Sequence, residues 1–369
     1  MAKIIIEGFY GYANLGDEAI LMAFIENFSK MGADVSIMTG SPEKVEKDYD
    51  LRAIQKNGRR YLPKRFLKIL SSDLYILGGG GLLKDFGDDS KSLKSWLHNI
   101  DIANKLGKKT ALGAIGVENV RFEESFHEIK RVISNVDLIT VRDQISYDIL
   151  REAGIKKDIH IFSDPAVILA EAKKRSIDKG KINVFVSLRH WFSTGFKTED
   201  SEIEARFHRQ LARFFDEIAT NVKLHFIPMR TVDYDNDVEI AKKLVSHMQQ
   251  DCEIEINEVP PSVEGFIDML DDCDIMIGMR LHSAILATAK AIPTIAISYS
   301  PKVKGYMEKI GMVDFCKPPK IIEADTLFSA YQELIDKYDH YNSLLKKNSE
   351  TQKNLAKNNI QILYDFAND

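Results

Sequence analysis

The chain has 369 residues, 44% of them apolar and 28% charged, and carries a net charge of −5. That length exceeds one ordinary core and suits two domains, while the composition excludes wholesale disorder and the acidic balance excludes a protein that coats nucleic acid through a global positive field. Cys252, Cys273 and Cys316 are odd in number and lack any CxxC spacing. A disulfide framework and a zinc ribbon are thereby excluded, and a reducing cytoplasm is the expected setting.

Met1-Ala2-Lys3 leads straight into Ile4-Ile5-Ile6 without a signal-peptide core, and no stretch approaches the roughly 20 apolar residues of a membrane span. Neither export nor membrane insertion is expected. Short runs of Ile, Val and Leu alternate with amphipathic stretches, the pattern of buried parallel strands joined by crossover helices. Strands are predicted at Lys3–Gly8, Asp34–Met38, Leu74–Leu77, Thr110–Ile115 and Leu138–Val141, with a first helix over Gly16–Lys30. The polar stretch Glu171–Lys181 reads as a linker. A second series follows at Ile182–Ser187, Leu224–Pro228, Glu253–Asn257, Asp274–Ile277 and Thr294–Ser298. The expected fold class is α/β, with two Rossmann-like domains facing a central cleft: residues 1–170, residues 181–324, and a helical tail, 325–369, packing back on the first domain.

The first strand empties into Gly8-Phe9-Tyr10-Gly11-Tyr12-Ala13-Asn14-Leu15-Gly16-Asp17-Glu18. This is not the dinucleotide fingerprint GxGxxG, and Thr39-Gly40-Ser41 after the second strand supplies no acid for a ribose, so an NAD site is not expected. Asp17 reads either as a catalytic acid or base or as a partner of the helix macrodipole, and Asn14 either as a ligand contact or as a turn residue. Four glycines, Gly78 to Gly81, follow a buried strand and remove every Cβ from that surface; Gly79 and Gly80 let a ligand, or a neighbouring helix, come close.

Basic residues recur at strand ends. Arg142 follows the strand 138–141, with Asp143 able to pair with it or cap the next helix. Arg189 and His190 follow 182–187, beside Trp191, which suits either a sugar face or the core. Gly278-Met279-Arg280-Leu281-His282-Ser283 joins a strand to a helix, and Lys302 begins the helix after 294–298. Carboxyl ends of parallel strands and helix N-termini favour anions, Arg280 offers a two-pronged grip on a carboxylate or phosphate, and His282 brings an imidazole, the side chain suited to giving or taking a proton. The competing reading is an Arg tied to a neighbouring Asp and a His in the core. Convergence of Arg142, Arg189, Arg280, His282 and Lys302 on one cleft is the expectation. No HxxxH, HExxH or DxD set supplies a metal, and neither a P-loop nor a GxSxG elbow is present, so the reading is metal-free chemistry on a small dianion.

Gly11-Tyr12-Ala13-Asn14-Leu15-Gly16-Asp17-Glu18-Ala19, the glycine run with Leu82-Leu83, Asp164-Pro165-Ala166 and Arg280-Leu281-His282-Ser283 together resemble the polysaccharide pyruvyl transferase family, in its cell-wall CsaB type. The resemblance runs from the first strand to about Gly311. It implies a GT-B-like architecture and transfer of the enolpyruvyl unit of phosphoenolpyruvate onto a sugar as a cyclic ketal, with phosphate released and no cofactor. The acceptor it implies is an N-acetylmannosamine residue on a lipid-linked precursor of the secondary cell-wall polysaccharide, whose pyruvylated product anchors S-layer homology domains. On this resemblance His282, Asp17 and Arg280 are the candidate catalytic residues: His282 as proton donor, Asp17 as base for a sugar hydroxyl, and Arg280 with Arg189 or Arg142 on the donor's anionic groups. Lys302 would meet the departing phosphate, the first domain would take the acceptor and the second phosphoenolpyruvate. A homo-oligomer and peripheral contact with the inner face of the cell membrane belong to the same expectation. For that contact the candidate patch is Arg59, Arg60, Lys64, Arg65, Phe66 and Lys68, near Leu62 and Leu67, the densest basic cluster in the chain. A nucleotide-sugar glycosyltransferase and a non-catalytic binder of anionic glycans remain the rival readings.

Overall fold

The computed structural model describes residues 1–190, 201–233 and 235–369. They form two compact units, 1–168 with 352–369, and 169–351. The first contains β1 (Lys3–Glu7), α1 (Leu15–Lys30), β2 (Asp34–Thr39), α2 (Pro42–Tyr49), β3 (Ala53–Gln55), α3 (Leu62–Leu70), β4 (Leu74–Gly78), α4 (Lys91–Lys105), β5 (Lys109–Ile115), α5 (Glu123–Ile133), β6 (Leu138–Val141), α6 (Gln144–Glu152) and β7 (His160–Ile161). The sheet is wholly parallel in the order β3-β2-β1-β4-β5-β6-β7. Ile4, Ile5 and Ile6 of β1 and Leu74 to Leu77 of β4 are buried because helices cover both faces of the sheet, which is why these strands read as continuous apolar runs. The core gathers Ile5, Tyr75, Leu77, Leu112 and Ile139 with Leu93 and Leu97 of α4 and Ile129 of α5.

The second unit contains β8 (Ile182–Ser187), α7 (Ser201–Ile218), β9 (Val222–Phe226), the hairpin strands β10 (Thr231–Val232) and β11 (Asp235–Asn236), α8 (Asp237–Val245), β12 (Glu253–Ile256) and α9 (Val263–Met269). It continues through β13 (Ile275–Gly278), α10 (Leu281–Ala289), β14 (Thr294–Ile297), α11 (Pro301–Lys309), β15 (Cys316–Lys317), α12 (Ala324–Asp336) and the first part of α13 (Tyr338–Asn368), which from Gln352 onward counts with the first unit. Its sheet is also parallel, ordered β12-β9-β8-β13-β14-β15.

The structure corrects the expected tail. Residues 325–351 count with the second unit, where Arg213 of α7 reaches Asp325 and Asn342 donates to the carbonyl of Ala291, and only 352–369 count with the first. There Tyr364 donates to the carbonyl of Met31, and Lys109 to that of Phe366. Strand β9 begins at Val222, paired with Ile182, and ends before Pro228, which has no N–H to give a ladder.

Candidate active site

In each sheet the strand order reverses direction beside the first strand of its unit, between β1 and β4 in one and between β8 and β13 in the other. The carboxyl ends of strands at such a switch point are where open α/β sheets take ligands, because the connections on either side diverge and leave a crevice. The motifs singled out in the sequence fall at these two points. The loop from Gly8 to Asn14 follows β1 and the glycine run follows β4; Arg189 follows β8 and Arg280 follows β13.

In the first unit, Asp17 is buried in the first turn of α1, and the side-chain amide of Asn14 donates to its carboxylate instead of capping the helix. What approaches the glycine run is α1 itself. Gly79 and Gly80 adopt left-handed φ of 71° and 75°; a Cβ on Gly80 would lie 2.6 Å from Asp17 Oδ1, and one on Gly79 2.1 Å from Ile20 Cγ2. Glycine is therefore required both for the backbone conformation and for the seat of the Asp17 carboxylate. Tyr10 donates to the carbonyl of Gly78, and burial, then the charges of Asp17 and Glu18, push its pKa up, so the phenol stays protonated.

Arg142, read in the sequence either as an anion contact or as a partner of Asp143, has two carboxylates on its guanidinium. Its Nη1 donates to Asp164 at 3.0 Å and its Nε to Asp143 at 3.3 Å. Burial opposes the charge, yet Asp164, Asp143 and Glu118 outweigh it and hold the pKa above the ordinary arginine value. Asp143 also caps α6, accepting from the Ser146 N–H at 2.7 Å. Arg142 thus ties the end of β6 to Asp164.

The pattern gave no signal for an aromatic surface at the first switch point. Phe9 and Tyr12 stack with ring centroids 4.4 Å apart, and Trp96 of α4 meets Phe9 edge-on at 6.4 Å. All three rings are half-buried, and Lys56 Nζ lies over the indole at 3.0 Å. Such faces suit the C–H face of a sugar ring.

In the second unit, Arg280 is buried and grips protein carboxylates. Its Nε donates to Asp237 Oδ2 at 3.0 Å, and its Nη2 to Asp237 Oδ1 at 2.5 Å and Asp235 Oδ1 at 2.8 Å. The expected two-pronged grip exists, but on Asp237 and Asp235, which bracket the start of α8 and lie more than 40 residues away in sequence. Asp237 also accepts from the N–H groups of Met229 and Arg230. Burial pushes the Asp237 pKa up against the pull of Arg280. Burial would raise Asp235 too, but Arg280, Arg189 and Arg230 together hold it down.

Two further arginines join this cluster. Arg189 donates to the Tyr299 hydroxyl at 2.7 Å, lies over the same ring, and has Asp235 at 3.7 Å; Arg230 reaches Asp235 at 3.4 Å. Neither Arg230 nor the two aspartates had been singled out. His282 is half-buried in the first turn of α10, and Lys302 in the first turn of α11. Those helices follow the neighbouring parallel strands β13 and β14, so both residues begin helices on the carboxyl edge. Gly278 closes the approach to α10, since a Cβ there would lie 2.5 Å from Ser283 Oγ, which donates to the carbonyl of Arg280. Trp191 lies outside the described residues.

Two parallel-sheet α/β units, each with its own switch point, make a two-domain Rossmann-like architecture of the GT-B type. The solved structure of a UDP-GlcNAc 2-epimerase from Methanocaldococcus jannaschii has this fold, with a TM-score of 0.64 at 13% identity over 98% of this chain and 99% of that one. A glycosyltransferase from Rickettsia africae is similar, with a TM-score of 0.63 at 12% identity over 99% of this chain and 96% of that one. The model of the family described as polysaccharide pyruvyl transferase matches residues 14–301, and the chain belongs to that family. Among curated proteins, the amylovoran biosynthesis protein AmsJ of Erwinia amylovora is 20% identical over 413 aligned residues, covering 96% of this chain and 97% of AmsJ. The family makes the chain a transferase of polysaccharide biosynthesis, with a polysaccharide as acceptor.

Proposed function

We propose that the protein transfers the enolpyruvyl group of phosphoenolpyruvate to two hydroxyls of one sugar, forming a cyclic pyruvate ketal and inorganic phosphate. The observation that carries this reading is the gathering of Arg189, Arg230 and Arg280 at the second switch point, beside the N-terminus of α10, in a chain matched by the pyruvyl transferase family. Guanidinium groups and helix N-termini are the groups that hold a carboxylate and a phosphate on one small molecule. Arg189 and Arg230 are the proposed donor contacts, Lys302 meets the phosphate, and Arg280 fixes Asp235 and Asp237 that orient them.

The chemistry balances without redox. His282 gives a proton to the methylene carbon, C2 becomes cationic, one sugar oxygen adds there, the C2–O bond to phosphate breaks, and the second sugar oxygen closes the ring. The two hydroxyl protons are then accounted for by the new methyl group and the released phosphate. Asp17, seated by Asn14 and Gly80, is the proposed base for the hydroxyl, and stacked Phe9 and Tyr12 with Trp96 the proposed platform for the sugar. The acceptor proposed from the cell-wall resemblance is N-acetylmannosamine on a lipid-linked secondary cell-wall precursor, with the enzyme at the cytoplasmic face of the membrane.

Calorimetric titration with phosphoenolpyruvate and with nucleotide sugars, followed by phosphate release in the presence of acceptor, tests the proposal. It predicts binding of phosphoenolpyruvate and acceptor-dependent phosphate. Binding of a nucleotide sugar alone would replace it with glycosyl transfer, and acceptor binding without phosphate release would replace it with a glycan binder.

A further inference from the structure

Eight large apolar side chains stand out as exposed among the described residues, and four of them belong to α3: Leu62 at 42%, Phe66 at 40%, Leu67 at 66% and Leu70 at 43%. Nine residues thus carry half of the set. Leu62, Phe66 and Leu70 recur every fourth residue and form one row, with Leu67 beside it, whereas Ile69 and Arg65 point into the unit. Burial of Arg65, which donates to the carbonyl of Lys56, removes it from the surface cluster expected from the sequence. The cations left outside are Arg59 and Arg60, in a short turn leading into the helix, and Lys64, with Lys68 half-buried. From Asn57 to Ser72 there is no acid, although the whole chain carries a net charge of −5.

An exposed apolar row edged by cations is the surface that an anionic bilayer complements: the apolar side chains enter the boundary of the acyl chains and the cations meet the headgroups. The alternative of a second copy is opposed by charge, because a two-fold interface on this face sets its cations against their own copies. Topology supports the bilayer as well. α3 connects β3 to β4, whose strands run parallel, so the helix runs back across the sheet and its basic N-terminal end lies at the carboxyl edge, the edge that carries Asp17 and the glycine run.

We infer that α3 is a membrane-docking helix that seats the first unit on an anionic lipid surface. The inference stands on this surface and does not depend on the transfer reaction. The full chain is sedimented with vesicles of phosphatidylcholine alone and of phosphatidylcholine with phosphatidylglycerol, at low and high salt. The expected result is partition onto the anionic vesicles only, weakened by salt. One exposed cation is worth about five-fold in affinity, so Lys64→Gln with Lys68→Gln reduces partition about 25-fold if both reach the headgroups. Phe66→Ser with Leu67→Ser abolishes it while leaving the melting temperature and the far-ultraviolet circular dichroism unchanged. Equal partition of parent and both double variants would overturn the inference, as would equal binding to neutral vesicles. A concentration-dependent dimer that Phe66→Ser with Leu67→Ser dissolves, without vesicle binding by the parent, would assign the face to a second copy instead.

Discussion

Replacing Arg280 by lysine separates a residue that builds the site from one that grips the donor. Arg280 is buried, and its fork makes three charge-assisted hydrogen bonds, two to Asp237 and one to Asp235. A lysine keeps the charge but satisfies only one of these directions, so two bonds go, at about 1.5 kcal/mol or more each, a loss on the order of 3 kcal/mol. For a unit of this size about 1 kcal/mol moves the melting temperature by roughly 2 to 4 °C, so Arg280→Lys should melt about 6 to 12 °C lower. Arg189→Lys is the contrast. That side chain is less buried than Arg280, donates to the Tyr299 hydroxyl and stands 3.7 Å from Asp235, so melting should shift less than in Arg280→Lys while phosphoenolpyruvate affinity falls by on the order of 1 to 3 kcal/mol. Differential scanning calorimetry and donor titration of both variants give the comparison. An Arg280→Lys protein with parental melting and weakened donor binding would refute the assignment, because Arg280 would then be holding the donor and not Asp235 and Asp237.

Other outcomes follow from the same geometry. His282→Gln should lower turnover by about 10² to 10⁴ at saturating donor while leaving donor binding largely intact, measured by steady-state phosphate release; parental kinetics in both terms would make His282 a packing residue. Turnover should survive EDTA, since no metal-ligand spacing occurs in the sequence, and loss restored by a divalent ion would contradict this. Burial, aided by Lys243 and opposed by Glu204, lowers the His208 pKa from 6.5 to about 4. Between those values the unfolded chain takes up a proton that the folded one refuses, so stability is full above about pH 6.5 and declines as pH falls toward 4. Urea melts across that window should show the decline, and His208→Phe should flatten part of it; an unchanged slope would remove His208 as a cause.

The central strands were legible because strands buried on both faces are written as unbroken runs of Ile, Val and Leu, as in Lys3–Glu7 and Leu74–Gly78. Strands β3, β7 and β15 were not, since they are two or three residues long at the ends of their sheets and carry little apolar signal. The arginines at strand ends could be read from their positions, but their partners could not. Asp235 and Asp237 come from a hairpin and the helix behind it, and nothing local in the chain links them to Arg280. The same holds for Trp96, which meets Phe9 only because α4 packs against β4 and β5. For Arg142 the sequence offered both an anion contact and a pair with Asp143; the structure shows that pair and adds Asp164, which nothing local in the chain links to it.

The central claim is that C2 of phosphoenolpyruvate is the reacting atom, and the fate of the oxygen bridging C2 and phosphorus tests it most directly. Both ketal oxygens come from the sugar, so the bridging oxygen must leave with phosphorus. With that position labelled by heavy oxygen, the enzyme and its acceptor should release labelled inorganic phosphate, detected by the isotope shift in phosphorus NMR, in amounts equal to the ketal formed. Unlabelled phosphate with the label retained in pyruvate would mean cleavage at phosphorus and would contradict pyruvyl transfer.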